Sequence, residues 1–155
     1  MATVFWDSRG IIFTDYLEKG RTITGQYYAD LLGRFDAELM RKRPHLMKKK
    51  VLFHLTTHQL TPHSSAIAAA KLVELRYELL PHPPYSPDLA PCDFFLFPNM
   101  KKWLGGKRFT SNEEVIDQTE AYFEEFNKSY FLDGLKKLEH RWTKCIELRG
   151  DYVEK

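Results

Sequence analysis

Apolar positions along the chain recur with two periods, one of strands and one of helices. Thr3-Val4-Phe5-Trp6-Asp7 and Ile11–Leu17 are β-prone runs on either side of Ser8-Arg9-Gly10, and they predict a hairpin over residues 3–17. Gly20–Thr24 reads as an extended link or a third short strand. Tyr28, Leu31, Leu32, Phe35 and Leu39 then fall at helical spacing, so a helix is predicted over Gly25–Arg43, capped by Thr22 or Thr24. Val51–His54 and Tyr77–Leu80 read as short strands. Between them Ser64–Arg76 is an alanine-rich helix with Ile67, Ala70, Leu72 and Leu75 as its buried positions. Three helices follow, and Gly105-Gly106 stops the first near Leu104. Ser111-x-x-Glu114 is a capping box opening a helix to Phe126. Lys128–Leu148 carries Phe131, Leu135, Leu138, Trp142 and Ile146 along one side. A hairpin followed by strand–helix alternation predicts an α/β fold, a mixed central sheet flanked by helices, in one domain over 1–155.

The pattern breaks at Pro81–Phe97, PHPPYSPDLAPCDFFLF. Five prolines between Pro81 and Pro91 fix φ and remove backbone donors, so the stretch is a stiffened loop. Asp93 opens the apolar run Phe94–Phe97. On helical spacing it shares a face with Leu96, Phe97 and Met100, which aims a carboxylate at a core unless it only complements the start of a helix. Asp7 ends the first strand on the face of Thr3 and Phe5, either facing solvent at the turn or held at the lip of a core.

Composition narrows the picture. Of 155 residues, 43% are hydrophobic and 14% aromatic, which fits a globular core, and a net charge of +2 makes any basic surface local. Such a surface is concentrated at Arg41, Lys42, Arg43, Lys48, Lys49 and Lys50, which is either a solvated helix end or a contact with phosphates. Two cysteines, Cys92 and Cys145, make no disulfide framework and point to a reducing compartment. No run approaches the ~18 apolar residues of a membrane span, and no signal peptide opens the chain. The start at Met1-Ala2 reads as a cut at a domain boundary.

Tyr85-Ser86-Pro87-Asp88-Leu89-Ala90-Pro91-Cys92-Asp93 followed by Phe94–Phe97 resembles the signature of mariner-type DNA transposases. Phe5-Trp6-Asp7-x-x-Gly10 resembles the strand carrying their first catalytic acid. Arg43-Pro44, Lys107-Arg108-Phe109 and Leu138-x-x-Arg141-Trp142-x-Lys144-Cys145-Ile146 are similar to the family as well, so the resemblance covers nearly the whole chain. It implies a ribonuclease H-like fold and metal-dependent DNA cleavage and strand transfer. Phosphodiester attack needs charge neutralised on the entering and leaving oxygens, which two Mg²⁺ or Mn²⁺ ions about 3.5–4 Å apart provide. By resemblance Asp7 is the first carboxylate and Asp93 the third. It further implies DNA contacts at the basic run and at Lys107 and Arg108, and a nuclear location. The partners implied are transposon ends, read mainly by helix-turn-helix modules that would precede Met1, and a second copy clamped through Leu17–Thr24.

By the resemblance the second acid is expected with 34 residues between it and the third, at position 58, and His58 stands there. The surrounding Phe53–His63 is two residues longer than the family motif. One choice of codons for Leu-Thr-Thr-His-Gln-Leu-Thr, read two bases later, spells Asp-Asn-Ala-Pro-Ala-His, so paired frameshifts are the expected cause. Imidazole is a poor substitute for a hard oxygen ligand to Mg²⁺. The expectation is a transposase domain that is catalytically dead or badly impaired, Glu74 or Asp88 being the acids that would have to stand in. The alternative is a non-catalytic domain acting in DNA binding or dimerisation. His54, His58 and His63 could also be read as a zinc site, weakly, for want of a fourth ligand.

Overall fold

The computed structural model describes residues 2–54, 62–80, 82–83 and 85–153, for 62–65 the backbone alone. Its elements are β1 (Ala2–Asp7), β2 (Gly10–Tyr16), α1 (Gly25–Lys42), β3 (Val51–Phe53), α2 (Pro62–Glu74), β4 (Tyr77–Leu79), α3 (Phe97–Leu104), α4 (Asn112–Glu125) and α5 (Lys128–Glu147). The hairpin, the five helices and the short strands lie where the apolar periods place them. Gly20–Thr24 carries no strand.

Among the described residues the strands form two ladders, β1 with β2 and β3 with β4. A two-residue turn makes the first antiparallel. The second is parallel, with Val51 opposite Tyr77 and Phe53 opposite Leu79, and α2 makes the crossover. Contacts gather the chain into two compact units. One holds Met1–Trp6 and Ile11–His82; the other holds Asp7–Gly10 and Pro83–Lys155.

In the first unit, Phe5, Ile12, Leu31, Leu32, Phe35, Leu39, Phe53, Ala68, Leu72 and Tyr77 close one core. The Phe5 and Phe35 rings stack at 4.2 Å between centroids, and Phe53 stacks on Tyr77 at 5.8 Å. Helix α1 can supply half of this core because Thr24 caps it, its hydroxyl accepting from the Tyr27 amide at 3.1 Å, and because Arg41 and Lys42 close its last turn against the dipole. Tyr77 donates to Asp36 at 2.6 Å; burial and that bond push its phenol well above the usual range. Asp15 is buried and accepts from the Tyr27 hydroxyl and from Arg34 at 2.9 Å. This polar cluster has no mark in the hydrophobic pattern. Among the described side chains of α2 the buried positions are Ala68 and Leu72, with Leu75 half-buried just beyond it, whereas Ile67 and Ala70 are exposed. So many alanines leave helical periodicity too weak to choose the face.

The second unit is built around α5. Asn127 caps it, accepting from Ser129 and Tyr130 amides, and Ser111 caps α4 by accepting from the Glu114 amide at 3.2 Å. Glu114 answers one residue earlier than in the usual capping box, taking the Thr110 amide at 2.7 Å, and this bond holds its carboxyl below the usual range. Phe131 and Leu138 of α5 are buried, but Ile146 is 77% exposed, so the apolar stripe ends at half-buried Trp142. Gly134 is required here. A Cβ at that position would lie 2.4–2.6 Å from three atoms of the Phe95 ring.

Gly134→Ala is therefore expected to lower stability by about 1–3 kcal/mol, because overpacking outweighs the helical preference for alanine. At Gly33 in α1 a Cβ would meet only the flexible end of Lys71 at 3.6 Å, and Gly33→Ala is expected to raise stability by about 0.5–1 kcal/mol. Urea denaturation of the two variants checks the opposite signs.

Candidate functional site

Asp7 ends β1 and is half-buried; its Oδ1 accepts the Arg9 amide at 2.8 Å, the local bond by which an aspartate shapes a tight turn. Gly10 completes the turn at φ +127, and a Cβ there would touch Phe131 of α5 at 3.6 Å. The hairpin tip thus rests on α5.

Asp93 lies in a π-helical turn, Cys92–Leu96, in which the Phe97 amide reaches back five residues to the Cys92 carbonyl. The cause is visible in the sequence. Pro98 has no amide to return to Phe94 and its ring crowds that carbonyl, and a wider turn relieves both. Asn99 donates to the Phe95 carbonyl at 2.8 Å within the same turn. The widening changes which residues face inward. Phe95 and Leu96 are buried and Asp93 is exposed, so the carboxylate does not point into the core as α-helical spacing predicts.

Phe95 packs against Gly134 of α5. Phe131 and Gly134 are three residues apart and share a helix face. One face of one helix therefore carries both the turn Asp7–Gly10 and the turn that holds Asp93, within one compact unit.

The approach to Asp93 is tied to the same helix. The Trp142 indole N–H donates to the Leu89 carbonyl at 2.9 Å. Arg141 lies 3.6 Å from Asp88, with its guanidinium carbon 5.1 Å from the centre of the Phe94 ring. Asp88 is thereby committed to an ion pair. Glu74 lies in the other unit, 3.5 Å from Lys71. His58 lies outside the described residues, as does the His63 side chain. His54 faces His82, Nε2 to Nδ1 at 3.1 Å, and among the described residues no three His, Cys, Asp or Glu gather to hold a metal ion. Neither cysteine is in a disulfide among the described residues.

The basic residues are at the surface, several of them engaged. Arg41 pairs with Glu38 at 2.7 Å, Lys42 donates to the Ile12 carbonyl at 2.7 Å, and Lys50 lies 3.7 Å from Glu78. Lys48 and Lys49 are exposed, and Arg43, half-buried, donates to the Lys42 carbonyl. In the other unit Arg108 is exposed and Lys107 sits 3.2 Å over the Trp103 ring.

The sequence profile of a transposase family, described as a partial DDE domain, matches residues 1–49. The solved catalytic domain of Mos1 transposase with raltegravir and Mn superposes at a TM-score of 0.90 with 34% identity, over 99% of this chain and 76% of that one. The chain belongs to the mariner transposase family. It corresponds to the catalytic domain, and its fold is the ribonuclease H-like one. The mariner Mos1 transposase of Drosophila mauritiana is 36% identical over 157 residues, and the human histone-lysine N-methyltransferase SETMAR 33% over 156. Each match takes in 99% of this mariner chain, but the chain spans only 45% and 22% of those two relatives.

Burial and the neighbouring His82 ring hold the His54 imidazole below its usual value of 6.5. The unfolded chain then takes up a proton more readily than the folded one as pH falls through about 6.5, so this mariner domain loses stability on acidification. Urea midpoints at pH 7.5 and pH 5 are expected to differ in that direction, and His54→Phe to reduce the difference.

Proposed function

We propose that this chain is a single phosphodiester-cutting domain, residues 1–155, in which Asp7 and Asp93 hold a divalent cation, Mg²⁺ or Mn²⁺, and in which the loss of an acid at position 58 impairs turnover. The observation that carries the reading is the shared α5 face, where Phe131 meets the hairpin of Asp7 and Gly134 meets the turn of Asp93. The donor set fits a small hard cation. Two carboxylates, one half-buried and one exposed, suffice for an ion that keeps several waters and takes phosphate oxygens. It fits a weakened site, since the sequence holds His58 where the family resemblance expects the second acid. The Mos1 catalytic domain has been solved with Mn and with Mg, which supports the choice of ion.

The bound cation supplies charge neutralisation at the attacked phosphate and a more acidic water. The protein's own part is to present the oxygens. Asp93, exposed, is open to a nucleic-acid backbone, while the hairpin turn holds Asp7 at its post. DNA is the proposed partner. Mos1 transposase has been solved in a paired-end complex with its left transposon end, and here Arg41, Lys42, Arg43, Lys48, Lys49, Lys50, Lys107 and Arg108 offer cations for phosphates. A nuclear location is proposed with that partner. A homodimer is proposed with it, and among the described residues no helix is long and apolar enough to cross a membrane.

Strand cleavage of a DNA end in Mg²⁺ is expected at background, and robust turnover would refute the impairment. Mn²⁺ binding, followed by electron paramagnetic resonance, is expected to weaken about tenfold or more in both Asp7→Asn and Asp93→Asn. Equal affinity in both variants and the parent would remove these residues from the site. The exposed cations favour a second reading, a domain that only binds DNA. DNA affinity that survives Asp93→Ala beside absent cleavage in Mn²⁺ would select it.

A further inference from the structure

The polyproline approach to Asp93 is poor in backbone donors, since its prolines lack them. It turns once through a short 3₁₀ segment, Pro87–Leu89, and Tyr85 before it sits at φ +54, a left-handed conformation that a tyrosine adopts rarely. Such a backbone persists only when its surroundings hold it. Three contacts from the C-terminal end of the chain do so. The Trp142 indole donates to the Leu89 carbonyl at 2.9 Å. Arg141 pairs with Asp88 at 3.6 Å, side chains 21% and 30% exposed, so the pair is shielded from water more than a surface pair is. The Tyr152 hydroxyl donates to the Tyr85 carbonyl at 3.3 Å. Arg141 also donates to the Val153 carbonyl at 3.5 Å, which ties the tail carrying Tyr152 back to α5.

These contacts continue into the turn that bears the acid. The Ala90 amide bonds to the Pro87 carbonyl at 3.0 Å, and the Phe94 amide bonds to the Ala90 carbonyl at 2.8 Å. Phe94 follows Asp93 directly, and its ring lies against the Arg141 guanidinium. Leu89, Ala90 and Phe94 form one connected path from Trp142 to Asp93.

We propose that Trp142 and Arg141 are positioning residues, which fix the 85–91 approach from α5 and so set the direction of the Asp93 carboxylate. The proposal rests on the metal-binding reading of Asp93 for its consequence and on the contacts alone for its cause. Trp142 acts through the hydrogen bond that its indole N–H donates, and Arg141 through one guanidinium nitrogen that reaches both the Asp88 carboxylate and the Val153 carbonyl, with its guanidinium carbon 5.1 Å from the centre of the Phe94 ring. Lysine lacks the planar group that lies against that ring. The pairing explains why an aspartate stands among the prolines at position 88.

The test uses the whole chain with Trp142→Phe, which keeps the ring and removes the donor, and with Arg141→Lys. Amide hydrogen exchange at Leu89, Ala90 and Phe94 is expected to quicken about threefold to tenfold in Trp142→Phe, while the amides of α4 stay unchanged. Unchanged exchange at those three positions overturns the proposal, as does a uniform rise across the chain, which marks general destabilisation. Mn²⁺ affinity is the second readout. It is expected to fall several-fold in Trp142→Phe, and the fall is expected to vanish when Asp93→Asn is already present. A fall that persists without the Asp93 carboxylate refutes positioning through Asp93. If the parent chain binds no Mn²⁺, the metal reading fails by itself, and exchange still decides whether Trp142 holds the loop.

Discussion

A missing side chain at Gly134 lets the Phe95 ring lie directly on the backbone of α5, and much of the second unit depends on that approach. Phe95 is one face of a chain of rings. It lies 5.0 Å from Tyr130, which stacks on Phe126 at 4.0 Å, and the Tyr122 and Tyr130 hydroxyls meet at 3.0 Å. Aromatic packing of this kind adds about 0.5–1.5 kcal/mol per pair beyond area burial, so the turn of Asp93 is fixed by more than its own backbone. One turn earlier on α5, Phe131 receives the hairpin tip. A single helix thus indexes two chain segments that are 85 residues apart in sequence.

The two acids are held by different devices. Asp7 is fixed locally, by a turn that its own carboxylate closes. Asp93 is fixed at a distance, through a π turn that Pro98 imposes and a loop that α5 grips from Asp88 to Leu89. Local devices form with the strand; the second kind needs the tertiary structure complete. A carboxylate with little local support and an exposed position is suited to meet a cation and a phosphate together, since neither has to displace a buried contact.

Helix α1 was legible in the sequence from a cap and an apolar stripe, Thr24 with Tyr28–Leu39, α4 from its capping pair, Ser111 with Glu114, and α5 from its stripe over Phe131–Trp142. The proline signature and the two aspartates carried the family reading because that motif is long and specific. The sequence alone also shows that position 58 holds a histidine. Other features were decided only in three dimensions. Which face of α2 is buried followed from neighbours, since alanine gives helical periodicity little contrast. Asp93 turned outward because a π turn shifts the angular spacing on which α-helical reasoning depends, although Pro98 was there to signal it. The Asp15–Tyr27–Arg34 cluster and the grip of Arg141 and Trp142 join residues far apart in the chain, and no periodic pattern records such contacts. Local chemistry sets the elements; contact between distant segments sets where the acids point.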